Sequence, residues 1–419
     1  MNTYGLKTSF RALRYRNYRL FFGGQAISLI GTWMQRVAMS WLVYRLTNSA
    51  FLLGMVGFVG LIPTFLLVPI AGVLADRWSR HRIMVVTQTL AMIQAFTLAL
   101  LAIAGLITVW HIIALSIFLG VVNAFDTPVR QSFVVEMVEG KEDLGNAIAL
   151  NSSIFNVAQL VGPSVAGVLV AVVGEGMCFL LNALSFIAVI GALLAMKVPH
   201  READPEKKNV LQGLKEGFTY AYESIPIRTI LLMLSLISLV GMSYTTLMPI
   251  FAKDILRGGP DTLGFLMAST GVGALIGAAY LASRKGTIGL GRQIPLAIVV
   301  LGVSVIAFSL SRNLWLSLVL VLFAGLGRIV QTASSNTVLQ TIVDEDKRGR
   351  VMSFYAMSFM GMAPFGNLIA GSLASTIGAP NTVLLCGLAC LVGALLFARR
   401  LPSLRAAVRP IYARMEAVT

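Results

Sequence analysis

Charge is what this sequence has least of. Only 12% of its 419 residues are Asp, Glu, Lys or Arg, about half of the ~25% usual in soluble domains. A conventional solvated surface is therefore excluded, and 57% of the residues are hydrophobic. Acids are scarcer than bases, 18 against 33, leaving a net charge of +15. Histidine and cysteine occur three times each. Cys178, Cys386 and Cys390 all fall inside apolar runs. Cys386 and Cys390 share a helix face, but neither His nor acid accompanies them, so they read as small buried hydrophobes without disulfide or metal chemistry. His81, His111 and His200 sit at run edges or in loops. The Ser/His/Asp, paired-carboxylate and His-rich patterns of hydrolytic or metal catalysis are missing, which argues against an intramembrane enzyme. No cofactor is expected. The basic excess does not form a patch interleaved with aromatics, so no nucleic acid is expected as a partner.

What is present is a succession of apolar runs, each long enough to cross a hydrocarbon core of about 30 Å. Twelve spans are expected: 20–45, 51–75, 83–105, 110–130, 145–173 and 177–197, then 229–253, 262–283, 294–311, 314–340, 351–377 and 381–399. The first is a retained anchor rather than a cleaved leader, because its apolar stretch is too long and no small-residue cleavage site follows. Basic residues gather on one side, in the turns with Arg77/Arg80/Arg82, Arg284/Lys285/Arg292 and Lys347/Arg348/Arg350, and in the tail. Arg45, Lys253, Arg257 and Arg312 lie on the other. By the positive-inside rule both termini are cytoplasmic, which for a bacterial chain means the inner membrane. Trp41/Tyr44, Trp110 and Trp315 are expected in the outer interfacial belt and Trp78 in the inner one.

The segment from Pro199 to Thr229 interrupts the runs. Arg201 to Lys208 is polar, and Leu211, Leu214, Phe218 and Tyr222 then recur at helical spacing, as in an amphipathic helix on the membrane face. The expected organisation is an N-terminal six-helix bundle (1–198), a cytoplasmic linker (199–228), a C-terminal six-helix bundle (229–400) and a cytoplasmic tail (401–419). The halves are weakly alike. A shift of 205 residues sets Gly120 on Gly325 and Val138 on Val343; a shift of 204 sets Gly167 on Gly371 and Gly174 on Gly378. In transporters such repeats place a substrate site at their interface.

Polar residues inside a span must face protein or water. In span 1, Gln25, Ser28, Thr32, Gln35, Arg36 and Ser40 fall within an arc of about 140° at 100° per residue. Span 4 carries Asn123, Asp126, Thr127 and Arg130 on one face. Span 7 carries Ser238, Met242, Thr245 and Thr246 with Tyr244 nearby, and span 10 carries Arg328, Gln331, Thr332 and Ser335. Polar faces on spans 1, 4, 7 and 10 imply a central polar cavity. An arginine at mid-span costs at least about 2.5–3.5 kcal/mol, so Arg36 and Arg328 are candidates for binding an anionic group of a substrate. The competing reading is a structural pair with helix carbonyls or Asp126. Gln25, Thr32, Gln35, Asn123, Tyr244, Thr245, Gln331 and Ser335 complete the candidate substrate-binding set. Asp126 is the candidate proton carrier, or alternatively a gate ion pair with a loop arginine such as Arg80. Gly162-Pro163 and the glycines of span 8 read first as close-packing positions.

One charged turn, Gly72 to Arg82, resembles motif A of the major facilitator superfamily, a Gly-x-Leu-Ala-Asp-Arg-x-Gly-Arg-basic pattern. Gly72, Leu74, Ala75, Asp76, Arg77 and Arg80 match, with Ser79 in place of the usual glycine and His81 in place of a stronger base. Gly162-Pro163-Ser164-Val165-Ala166-Gly167 is similar to part of motif C, which is associated with antiporters, without its upstream glycines. Phe125 to Gln131 and Asp344 to Ser353 resemble the bacterial branch that contains enterobactin-type siderophore exporters and related efflux proteins. The resemblance covers nearly the whole chain. It implies an all-α polytopic fold of twelve helices in two pseudo-symmetric six-helix bundles, alternating access and secondary active export, commonly by proton antiport. It also implies that motif A latches the cytoplasmic side, with Gly72, Asp76, Arg77, Arg80 and Arg130 as gating residues. Arg77 and Arg80 then have Glu136, Glu139, Glu142, Asp143 or Asp126 as partners, and Asp76 has the N-terminus of span eleven. The expected partners are a small-molecule substrate, the lipid bilayer and protons, with the chain a monomer. Import or lipid flipping on the same fold, and a non-transporting receptor, are the alternatives.

Overall fold

The computed structural model describes residues 10–75, 78–138, 140–196, 219–284 and 289–416. Among these no strand occurs. In hydrocarbon each backbone N–H and C=O must be satisfied inside its own segment, and a helix does this for every residue. A short 3-10 turn, Arg11–Arg14, precedes α1 (Arg16–Thr47). Then come α2 (Ala50–Ala75), α3 (Arg80–Ile103), α4 (Val109–Glu136), α5 (Lys141–Val173) and α6 (Glu175–Leu194). The second series is α7 (Ile225–Ile255), α8 (Pro260–Ala282), α9 (Leu290–Leu310), α10 (Leu314–Ile342), α11a (Glu345–Met360), α11b (Ala363–Ile377) and α12 (Ala379–Glu416). Ten of these are long and apolar enough to cross a membrane by composition alone. α1, with its polar face, and the broken α11 fill the two remaining places, so the twelve expected spans all have helices. α12 continues without a break through residues read from sequence as a tail. Of the expected amphipathic helix, Leu211, Leu214 and Phe218 lie outside the described residues, while 219–223 is helical and leads through Ser224 into α7.

The chain forms two compact units. The first comprises Met1–Asn48, Val59–Glu206 and Gly258–Ala268; the second comprises Ser49–Phe58, Lys207–Arg257 and Ser269–Thr419. The division is not a cut at the linker, because the first turns of α2 and α8 each join the unit formed mainly by the other half.

In the first unit α6 packs against both α1 and α3, and α5 lies along α1. Tyr18, Phe21, Met84, Phe133 and Val189 make a buried cluster near the end of the unit where α1 begins. Small residues set the helix spacing: a Cβ on Gly31 would fall 2.5 Å from Asn182 Oδ1 and 2.6 Å from Ser185 Oγ. The first turns of α8 lie on α5, where a Cβ on Gly167 would fall 2.9 Å from the Gly264 Cα.

The second unit repeats this crossing. The first turns of α2 lie on α11b, and a Cβ on Gly54 would fall 2.4 Å from the Asn367 carbonyl and 2.8 Å from the Gly371 Cα. Gly167 and Gly371 are the pair matched by the 204-residue shift. So are Gly174 and Gly378, which both take positive φ, +84° and +83°, in the turns before α6 and α12. α7 is interrupted by π turns at Ile237–Gly241 and Phe251–Ile255. The first lies against the break in α11: Ser238 donates to the Phe359 carbonyl (2.5 Å) and Ser243 to the Gly366 carbonyl (3.2 Å).

A second repeated device anchors the chain entering each series. The Gly140 N–H, at the start of α5, donates to the Tyr15 hydroxyl (3.2 Å), which in turn donates to Asp143 (3.1 Å). Arg14 pairs with the same carboxylate at 2.6 Å. The Asp344 N–H, at the start of α11a, reaches the Tyr220 hydroxyl at 3.5 Å, and that hydroxyl donates to Asp344 Oδ2 at 3.1 Å. Arg14 lies over the Tyr15 ring and Lys347 over the Tyr220 ring, at 4.9 and 4.4 Å. Tyr15 and Tyr220 are 205 residues apart.

Two interfacial expectations divide. Trp78, Trp110 and Trp315 are exposed as belt residues should be, whereas Trp41 and Tyr44 are buried within the first unit. Arg45, one turn from Trp41, instead holds Glu175 at the start of α6 with two hydrogen bonds of 2.7 and 3.2 Å.

Candidate functional site

The polar faces do different work. On α1, Gln35 is fully engaged between helices: its amide donates to Gln94 on α3 (3.0 Å) and its carbonyl accepts from Asn182 on α6 (2.7 Å). Gln94 donates onward to the Leu115 carbonyl at 3.4 Å. Thr32 turns its hydroxyl back to the Ser28 carbonyl. Gln25 is buried, and its amide nitrogen has no hydrogen-bond partner. Arg36 differs from its neighbours Gln35 and Val37 in being exposed, and its guanidinium rests over the Trp33 ring, 4.7 Å from the centroid. The charge felt there is another cation, Arg130.

On α4, Asn123 is half-buried and Asp126 is buried. Thr87 and Gln88 of α3 donate to Asp126 Oδ1 at 2.9 and 2.7 Å, and Arg130, one turn along the same helix, lies 3.6 Å from Oδ2. These neighbours give the buried carboxylate the polar partners it needs. Arg80, at the start of α3, pairs with Glu136 at the end of α4 at 2.6 Å, one of the acids expected for it. Asp76 and Arg77 lie outside the described residues. Gly72 lies in the last turns of α2.

In the second unit Arg328 is half-buried on α10. Its charge acts on the hydroxyl of Tyr244, on the stretch of α7 between the two π turns. Tyr244 is wholly buried, Thr270 is its other polar neighbour, and its hydroxyl has no hydrogen-bond partner of normal geometry. A buried, unspent donor costs about 1–3 kcal/mol. Along α10, Gln331 donates to Ser335 (3.3 Å) and accepts from Thr332 (3.2 Å), while the Ser334 hydroxyl is buried without a partner. Thr245 returns its hydroxyl to the Met242 carbonyl, and Thr246 donates to Asn367 on α11b at 2.7 Å.

The structure thus brings Arg328 together with Tyr244, Gln331 with Ser335, and Asp126 with Arg130. Gln35 it commits to a helix-to-helix chain. The sequence reading passed over Thr87, Gln88, Gln94, Asn182, Trp33, Phe155 and Thr270. Gln94 and Asn182 carried a usable signal, since a lone amide in an apolar run needs a partner on another helix. Trp33 and Thr270 carried none, because their significance lies in which neighbour they meet.

Among the described residues, helices stand at all twelve expected spans and cross in the same way in both units, the architecture of a polytopic membrane transporter. The chain belongs to the transmembrane secretion effector family, whose model matches residues 7–417. It is 26% identical over 373 residues to the staphyloferrin A transporter of Staphylococcus aureus, across 88% of this chain and 92% of that one. To the macrolide efflux protein A of Streptococcus pyogenes it is 26% identical over 396 residues, across 89% and 94%. Among solved structures, an inward-facing bacterial homologue of the iron transporter ferroportin superposes with a TM-score of 0.68 at 20% identity, covering 93% of this chain and 99% of that one. The protein is a multi-pass membrane transporter of small molecules.

Proposed function

We propose that this transporter exports a small amphipathic or anionic compound by alternating access, driven by proton antiport, from a monomer in the bacterial inner membrane with both termini cytoplasmic. One observation carries the reading of charge. Away from the helix ends, the spans hold Arg36, Arg130 and Arg328 but a single acid, Asp126, and that acid is already held by Arg130, Thr87 and Gln88. Two arginines are left to meet a negative group. Arg328, with the unspent hydroxyl of Tyr244, is the better prepared of the two, since a charge-assisted bond to an anion would satisfy both. Gln25, Thr32, Asn123, Thr245, Gln331 and Ser335 contribute polar contacts. Asp126 carries the coupling proton, and its hold on Arg130 is what protonation releases. Asp76, Arg77, Arg80, Arg130 and Gly72 serve the cytoplasmic gate, with the Arg80–Glu136 pair as one of its fixed points. The relatives' names, a staphyloferrin A transporter and a macrolide efflux protein, support a small-molecule cargo, and the second supports efflux.

The test is efflux from proteoliposomes with and without an imposed pH gradient, using carboxylate and catecholate siderophores beside a cationic drug. Anionic cargo should leave against its gradient only when protons flow inward, and Arg328→Ala and Arg36→Ala should abolish this at unchanged protein abundance. Normal export by both variants sinks the anionic reading, and export indifferent to the gradient sinks antiport.

A further inference from the structure

Arg36 is stacked on an aromatic platform that its polar face does not announce. Trp33 lies beneath the guanidinium and meets Phe155 of α5 edge-on, with ring centroids 5.7 Å apart at 73°. The root of the Trp33 side chain is set close against α5: a Cβ on Gly162 would fall 2.5 Å from the Trp33 Cβ and 3.0 Å from the Ile30 carbonyl. Phe155 is 45% exposed, and Arg36 is exposed as well, so the platform is open to a visiting molecule. The open face of an indole is the best aromatic receptor for a cation. Here the protein's own cation occupies it, and among the described residues the charge that acts on that cation is the positive charge of Arg130.

We propose that Trp33 and Phe155 form an aromatic recognition site and that Arg36 is its charge selector. Arg36 occupies the ring face that a cationic substrate would take. It presents instead a planar guanidinium, fitted to stack on and hydrogen-bond an aromatic carboxylate or similar planar anion. The inference rests on the reading of Arg36 as substrate-facing. It deepens that reading by naming the substrate class and by identifying two residues, Trp33 and Phe155, as specificity determinants.

Opposite effects on opposite charges test it. Binding of ethidium, a planar aromatic cation, and of salicylate, a planar aromatic anion, is measured by fluorescence on the full-length protein in nanodiscs. Arg36→Ala should bind ethidium about tenfold more tightly, the equivalent of about 1.4 kcal/mol, and bind salicylate more weakly. Arg36→Lys, which keeps the charge, should still exclude ethidium. Adding Trp33→Leu to Arg36→Ala should erase the gain, and Phe155→Leu should reduce it. Arg36→Gln serves in the same way if the alanine variant does not fold. Unchanged ethidium affinity in Arg36→Ala and Arg36→Gln, or a gain that survives Trp33→Leu, overturns the selector. Neither result bears on Arg328-dependent export of anions, so the broader reading fails separately, through the proteoliposome assay.

Discussion

The paired glycine crossings make the sharpest prediction. At Gly54, an added Cβ would sit 2.4 Å from the Asn367 carbonyl and 2.8 Å from the Gly371 Cα, all of it backbone that cannot rotate away. Ordinary contact begins at 3.4 Å, so α2 and α11b would have to separate by about 1 Å. Overpacking of this kind costs about 1–3 kcal/mol. If the crossing is made in one transport state and released in another, only the closed state bears that cost. The ratio of the two states should then move about 5- to 150-fold toward the one in which these turns are apart. Gly54→Ala and Gly371→Ala should both do this, and so should Gly167→Ala, which would fall 2.9 Å from the Gly264 Cα. Gly23→Ala and Gly191→Ala are the controls, since nothing lies within 4 Å of either added carbon. The assay is labelling of a cysteine placed near residue 50 with a membrane-impermeant maleimide, alongside the efflux rate. The expected outcome is faster labelling and slower efflux in the crossing variants and neither change in the controls. If Gly54→Ala and Gly371→Ala label and transport like the parent, the crossings are packing common to every state and the argument fails.

Three other outcomes follow from the same packing. Gln35→Leu should lower thermal stability by about 1–3 kcal/mol, read as a melting shift, because it strands buried partners on Gln94 and Asn182. Tyr244→Phe should leave the melting temperature unchanged or slightly raised, since the lost hydroxyl has only Thr270 beside it, outside normal hydrogen-bond geometry, yet lower anion transport. A large loss of stability there would show that the hydroxyl has a structural partner after all. Asp143→Asn should weaken the hold of α5 on the turn at Arg11–Arg14 and speed tryptic cleavage after those arginines, with little effect on the melting of the spans.

Much of the architecture could be read from the chain because a bilayer enforces it. Length, apolarity and the side on which arginines gather determine where helices begin and end, and most expected spans fall within a few residues of the helices found; α12 is the exception, running on to Glu416 through the expected tail. The 204-residue match of Gly174 with Gly378 was legible for a similar reason, since only glycine readily takes the positive φ those turns require. Sequence periodicity was less informative inside the polar faces. It gave the direction of Gln35 on α1, but whether an amide meets substrate or another helix depends on Gln94 and Asn182, more than fifty residues away. The break of α11 at Gly361–Met362 and the first π turn of α7 were also out of reach, because they answer one another across the packing. Trp41 and Tyr44 show the reverse error: aromatic residues near a span's end suit the interface, but here the unit has room to bury them.

The duplicated tyrosine anchors bear on how the polypeptide could be made. Tyr15 fastens the first series to the start of α5, and Tyr220 fastens the second to the start of α11a, each by bonds local to its own unit. Among the described residues, each anchor joins side chain and backbone within a single unit. Cut within the Pro199–Phe218 stretch, the gene would encode two fragments, each arriving in the membrane with its own fastening already in place. Co-expressed, such fragments are expected to reassociate, read as restored efflux.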